Sequence, residues 1–249
     1  MSLLANHRPR GAAEILDASA GIYRAHIGVL LVISIAVVLP PAILRAFLPT
    51  DLGNVISLAG NLLVPLAQGA IILLVSAALE EGKAISAGEA YRRLGKHGGG
   101  IIGVQIMTGI LVILGLILLI VPGVIAIAWT AVAGPVVVLE GISSGHALTR
   151  SRALARGQVK HVLGTLLLAW VIVLALIVGI SFALGLLGAI VGLGAMATQF
   201  LTELLFAPML PLLSIPVALL YYDLRIRNEG ADIDAMVAGL PAAALPEHS

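Results

Sequence analysis

Residues Ile101 to Leu139 run for 39 positions without a formal charge, and Val162 to Tyr222 run for 61 with Glu203 as the one acid. A helix crossing about 30 Å of hydrocarbon needs about 20 apolar residues, so each run is long enough for two crossings. Two shorter apolar blocks, Ile27 to Ala46 and Val55 to Leu79, supply one crossing each. Composition agrees: 60% of the chain is apolar and 11% charged, against about 45–50% and about 25% in soluble domains. The last run could hold two long crossings or three short ones; two put 13 of the 14 Lys and Arg residues on one side, so spacing and charge together predict an all-α polytopic membrane helix bundle with six transmembrane helices. The turn of the third hairpin half is expected at Pro122-Gly123, and Gly185 to Thr198 is expected to be a Gly-rich turn or short interfacial helix.

Charge sets the orientation. Arg8, Arg10 and Arg24 precede the first span, and Lys83, Arg92, Arg93 and Lys96 separate the second from the third. Arg150, Arg152, Arg156 and Lys160 follow the fourth, and Arg225 and Arg227 follow the last. With six spans, 13 of the 14 Lys and Arg residues fall on one side and Arg45 on the other. The positive-inside rule then puts both termini in the cytoplasm, in a cell inner (cytoplasmic) membrane. A net charge of +1 gives no case for nucleic acid, and the absence of cysteine excludes disulfides and thiolate metal sites. No cofactor is indicated.

The segments between spans resemble one another. Ile85-Ser86-Ala87-Gly88-Glu89-Ala90 and Ile142-Ser143-Ser144-Gly145-His146-Ala147 align without a gap, each shortly after a Leu-Glu pair, Leu79-Glu80 and Leu139-Glu140. Ala13 to Arg24 occupies the equivalent place before span one, and Glu229-Gly230 repeats the acid-glycine step after span six. This predicts a threefold internal repeat, about 11–80, 82–139 and 142–222, each a short cytoplasmic-side amphipathic helix followed by two spans. The whole forms a single transmembrane domain over 1–240, with 241–249 a disordered tail. Ser86 and Glu89 fit a capping box. In the third copy Leu148, Ser151, Leu154 and Ala155 share a face, while Arg150, Arg152, Arg156 and Lys160 form candidate contacts to lipid headgroups.

Four other features carry candidate chemistry. Gly141-Ile142-Ser143-Ser144-Gly145 matches the G-x-S-x-G nucleophile elbow, which needs a strand-to-helix turn; without a strand pattern it reads as a glycine turn with a Ser144 N-cap. The six histidines, His7, His26, His97, His146, His161 and His248, show no metal spacing; His26, His97, His146 and His161 flank the bilayer on the basic side and read as interfacial anchors. Asn61, Gln68 and Glu203 form a candidate intramembrane polar path, because polar groups inside the bilayer mark function by default. Glu140, Arg150, Ser151, Asp223, Arg225, Arg227 and Glu229 form a candidate polar latch, in which Glu140 pairs with an arginine of the third amphipathic helix or the C-terminal segment.

Two stretches carry a family likeness: Pro135 to Gly141 running on through Ala147 to Gly157, and Leu219-Leu220-Tyr221-Tyr222-Asp223-Leu224-Arg225-Ile226-Arg227-Asn228-Glu229-Gly230. Together they resemble bacterial and archaeal six-span membrane proteins grouped with the glycerophosphoryl diester phosphodiesterase membrane domain. The resemblance implies a six-span module whose recurring polar positions are Glu140, Arg150, Ser151, Asp223, Arg225, Arg227 and Glu229. Some relatives fuse that module to a phosphodiesterase barrel of about 250 residues, for which this chain has no room, so the catalytic activity is not implied. The expectation is a non-enzymatic inner-membrane module that binds anionic phospholipid headgroups or scaffolds a membrane or cytoplasmic protein partner. The alternative is a small-solute transporter or channel along Asn61, Gln68 and Glu203, and a membrane-embedded hydrolase rests on the G-x-S-x-G match alone.

Overall fold

The computed structural model describes residues 10–48 and 50–238, with the side chains of 46, 50, 51, 57, 195, 196 and 199 and of 229 onward outside that description. The predicted latch residue Glu229, the tail 241–249 and His7, Arg8 and His248 therefore lie outside the described side chains. Among the described residues the chain is helical with no strand, and six helices are long and apolar enough to cross a membrane.

Helix α1 (Ala12–Ala46) breaks its helical geometry at His26 (φ −122°, ψ 18°), which divides a leading polar segment from the apolar one. α2 (Thr50–Asn61) returns alongside it, and Gly60 makes the approach possible, since a Cβ there would sit 2.8 Å from the Pro41 ring. α3 (Val64–Ser76) restarts with Pro65 in its first turn, where the missing N–H leaves no helical bond unmade. It runs into one turn of π-helix, Ala77–Glu81, closed by left-handed Gly82 (φ 63°). α4 (Ala87–Leu94) is capped by the Ser86 hydroxyl, which accepts from the Glu89 N–H at 3.2 Å. The predicted reciprocal half of that box is replaced: the Glu89 carboxylate is taken by Arg92 and Arg93 instead. The Arg93 hydrogen bond holds the Glu89 carboxyl below its ordinary range.

α5 (Gly98–Leu118) and α6 (Ile120–Thr130) form the hairpin predicted at Pro122-Gly123, but its break is at Leu119 (φ −167°, ψ 151°). Pro122 lies inside the first turn of α6, because a proline is best tolerated just after a helix starts. Gly115 and Gly123 close the hairpin; a Cβ on Gly115 would lie 2.8 Å from the Gly123 Cα. α7 (Ala133–Glu140) completes the fourth span and ends at left-handed Gly141 (φ 69°), and α8 (Ser144–Ala155) follows. α9 (Val159–Val191) has 33 residues, about 50 Å of helix. The segment expected as a turn from Gly185 is thus helical to Val191; apolar residues keep making backbone bonds until Gly192 takes a left-handed φ of 72°. α10 (Ala195–Phe206) precedes Pro208, and α11 (Met209–Ala238) carries the last span.

α3, α7 and α11 are the inner helices. Ile71, Leu74, Val136, Ile215, Leu220 and Leu224 are 0% exposed. Lipid tails are as apolar as leucine, so close approach rather than hydrophobic burial holds such helices together. Gly69 shows how: a Cβ there would meet Leu94 at 2.7 Å and Ile101 at 2.9 Å. α5 and α9 present exposed Ile, Leu and Val along most of their length, as lipid-facing helices must. α8 buries Ala147, Ser151, Leu154 and Ala155 against α5, α6, α7 and α11, so its apolar face packs on the mouth of the bundle.

Candidate functional site

The ends of spans two, four and six meet in a polar cavity of about 420 Å³. The π turn carries Glu80 into it. A π turn inserts one extra residue into a helix and is frequent at functional sites; here it sets Glu80 opposite α11. The Tyr222 hydroxyl donates to Glu80 Oε1 at 2.7 Å, and the Ser76 hydroxyl donates to Oε2 at 3.3 Å. α7 brings Glu140 to the same cavity, where the Tyr221 hydroxyl donates to Oε1 at 3.0 Å. The two tyrosine rings stack edge to face, with centroids 5.3 Å apart. Arg150, one helix on, places Nε 3.2 Å from both Glu140 oxygens. Glu140 ends a helix, where the macrodipole disfavours a carboxylate, and Arg150 offsets that. Arg225 lines the remaining wall.

The arrangement is chemically two-sided. Two carboxylates, fixed by tyrosine hydroxyls, and two guanidiniums, one of them paired with Glu140, line a cavity with little apolar wall. Guanidinium forks match phosphate oxygens, while carboxylates accept from ammonium or hydroxyl groups.

The predicted latch separates into two clusters. Asp223 points away from the cavity and is 3% exposed. It accepts from the Arg10 backbone N–H (2.6 Å) and Arg227 Nε (2.7 Å), and faces His161 Nε2 (2.8 Å). Arg227 also donates to the Arg10 carbonyl at 2.7 Å, and Asn228 to the Leu154 carbonyl at 2.7 Å. This second cluster ties the N-terminal segment, α8, α9 and α11 into one end of the bundle. Ser151 joins neither: it is fully buried in α8, and its hydroxyl has no partner among the described residues.

The four candidate headgroup cations diverge as well. Arg150 is engaged by Glu140, and the Arg152 guanidinium lies 4.1 Å from the centroid of Trp129. Arg156 and Lys160 are exposed. The candidate path is split at Pro65, whose new helix start offsets α3 from α2. Asn61 lines a cavity of about 330 Å³ with Arg45 and Glu203, which form an ion pair. Gln68 lines a different cavity of about 540 Å³ with Gln105, Thr108, Thr130 and Ser214.

In the G-x-S-x-G segment the N-cap is Ser143, not Ser144. Ser144 begins α8, and its hydroxyl instead donates to the Gly100 carbonyl at 2.9 Å, joining α8 to α5. Ser143 is exposed, with His146 Nδ1 at 2.8 Å. That pair stands between two helices, an N-cap residue and its third neighbour, rather than on a strand-to-helix elbow. Among the described residues no group of three His, Cys, Asp or Glu side chains could hold a metal.

Sequence reasoning missed Ser76, Glu80, Tyr221, Tyr222, His161 and Arg10 as site residues. One signal was present: Leu79-Glu80 and Leu139-Glu140 are the same step in two copies of the repeat, and Tyr221-Tyr222 is an adjacent pair in a chain with 4 tyrosines. Comparison with family models, with curated proteins and with solved structures gives no match for this chain.

Proposed function

We propose that this chain is a non-enzymatic integral module of the bacterial cytoplasmic membrane that binds phospholipid headgroups at its cytoplasmic face. The observation that carries this reading is the cavity of Glu80, Glu140, Arg150, Tyr221, Tyr222 and Arg225, which offers both signs of charge at the basic end of the bundle. Arg156 and Lys160 nearby add attraction to anionic lipid, about 1 kcal/mol for each basic residue near the surface. The 13-to-1 split of Lys and Arg supports cytoplasmic termini, and the Arg10–Asp223–Arg227 contacts fit both termini on one side.

The threefold repeat belongs to the same reading. It is supported by left-handed Gly82 and Gly141 (φ 63° and 69°) closing spans two and four, and by extended Ser86 and Ser143 opening α4 and α8. The kink at His26 separates the corresponding leading segment of α1. The likeness to the phosphodiesterase-associated membrane domain draws support from Glu140, Arg150, Asp223, Arg225 and Arg227, recurring positions of its motifs that lie in the two polar clusters. The alternative of small-solute passage draws on the cavity at Gln68.

Lipid retention tests the reading. After detergent exchange, native mass spectrometry of wild type is expected to show bound phospholipid, and Arg225→Gln combined with Tyr222→Phe to show less at equal thermal stability. Equal retention in both proteins contradicts headgroup binding in this cavity.

A further inference from the structure

We propose that the protein carries phospholipids between the two leaflets, the headgroup stepping through three separate cavities that follow one another along α3 and α11 while the acyl chains stay in the bilayer. The proposal rests on the headgroup reading above and adds a route to it.

The three cavities follow one another along the α2–α3 pair and along α11. Along α2 and α3 their walls take Asn61, then Gln68 and Ile72, then Ser76 and Glu80. Along α11 they take Leu210, then Ser214 and Val217, then Tyr221 and Arg225. The middle cavity and the basic-end cavity are separated by one turn on three helices at once: Ile72 to Ser76, Pro135 to Leu139 and Val217 to Tyr221. Four residues of helix span about 6 Å. Thr130 lies ten residues before Glu140 and Gln68 twelve before Glu80, which sets the middle cavity about 15–18 Å from the basic end. That is the middle of a hydrocarbon layer about 30 Å thick.

At that depth an unpaired amide is expensive, because lipid offers it no partner. Gln68, Gln105 and Thr108 line the middle cavity and make no side-chain hydrogen bond among the described residues. The Thr130 and Ser214 hydroxyls donate to the Ala126 and Leu210 carbonyls, leaving their oxygens as acceptors. The middle cavity therefore offers donors and acceptors that a polar occupant can use. It also opens sideways: Gln105 is exposed on α5, and Trp170 on α9 is 54% exposed at the cavity edge. A solute pore would be walled on all sides, whereas a lipid needs a slit through which its chains stay outside. The far end repeats the chemistry of the basic end, with Arg45 and Glu203 presenting both charges beside Asn61. A headgroup thus finds polar partners in each of three successive cavities.

The test uses the full chain reconstituted in vesicles of phosphatidylethanolamine and phosphatidylglycerol with a trace of fluorescent phosphatidylethanolamine in both leaflets. Dithionite added outside quenches the outer-leaflet label of empty vesicles and leaves the inner-leaflet label. With wild type, the inner label is expected to become accessible and the signal to fall close to zero. Gln68→Leu with Gln105→Leu is expected to slow that second phase by about tenfold or more. Its thermal stability should not fall, since unpaired amides are removed, and its lipid retention in native mass spectrometry should match wild type. Inner label that stays protected with wild type, while lipid is still retained, overturns translocation and leaves the headgroup reading standing. Loss of retention together with protection overturns both. Quenching of a soluble dye trapped in the same vesicles overturns the lipid route in favour of an aqueous pore.

Discussion

Asp223→Asn should destabilise the bundle more than any other polar substitution at its basic end. The carboxylate side chain is 2% exposed and serves three donors from three parts of the chain: Arg10 N–H, His161 and Arg227. Asparagine preserves the shape but offers one acceptor oxygen in place of two, and turns an N–H₂ group toward at least one of those donors. The Arg227 guanidinium, 22% exposed, loses its counter-charge. Breaking a buried ion pair typically costs about 3–5 kcal/mol; with Arg227 partly exposed, the lower figure of about 3 kcal/mol applies. At about 2–4 °C per kcal/mol for a domain of this size, the melting temperature should fall by about 6–12 °C. Trp129 and Trp170 give an intrinsic fluorescence readout of unfolding in detergent. Arg227→Gln alone should cost less, and the double variant should fall short of the sum, because both substitutions dismantle one cluster. A fall below about 2 °C for Asp223→Asn, under 1 kcal/mol, or strict additivity with Arg227→Gln, would refute the hub.

Three further outcomes follow from the same contacts. Gly123→Val should lower the melting temperature of the α5–α6 hairpin by an amount equivalent to about 1–3 kcal/mol, because its Cβ would sit 2.5 Å from Leu116 Cδ2 and 2.8 Å from the Leu116 backbone N; Gly134→Ala, where a Cβ meets nothing within 4 Å, is the control. Tyr91 donates to the Ile33 carbonyl at 2.7 Å, and burial pushes its hydroxyl from 10.0 up to about 12. The unfolded chain releases this proton first, so stability falls as pH rises from 10 to 12; melting temperatures across that window should drop less for Tyr91→Phe than for wild type. Arg45→Glu and Glu203→Arg should each destabilise by about 1–2 kcal/mol, since the pair is about a quarter exposed, and the double swap should recover most of the loss.

The count of spans was legible in two features together: bilayer thickness dictates how long an uncharged block must be, and the placement of Lys and Arg chose two crossings over three for the last block. Pro122 was legible as punctuation, but not its side of it: it sits in the first turn of a new helix rather than in the break itself, and Pro65, within a block expected to be one crossing, opens a new helix as well. Rotation about helix axes was not legible. Tyr221, Tyr222 and Asp223 are consecutive, and residues on a helix advance by about 100° each, so they turn to Glu140, Glu80 and the His161–Arg227 cluster in succession. The convergence expected at one rim therefore divides into two. Glu80 was hidden by the π turn at Ala77–Glu81, whose extra residue shifts every later side chain around the axis. Arg45 stood out as the one cation opposite thirteen and Glu203 as the one acid of its block, yet across a separation of 158 positions nothing in the sequence announces that they pair.

Photocrosslinking tests the central claim most directly. Wild type reconstituted in vesicles containing a phospholipid with a photoreactive group on its headgroup is irradiated and digested, and the adducts are mapped by mass spectrometry. Headgroup binding at the basic end predicts adducts concentrated on the peptides carrying Glu80, Arg150 and Tyr221 to Arg225. Adducts confined to the lipid-facing residues of α5 and α9, with none on those peptides, would contradict it.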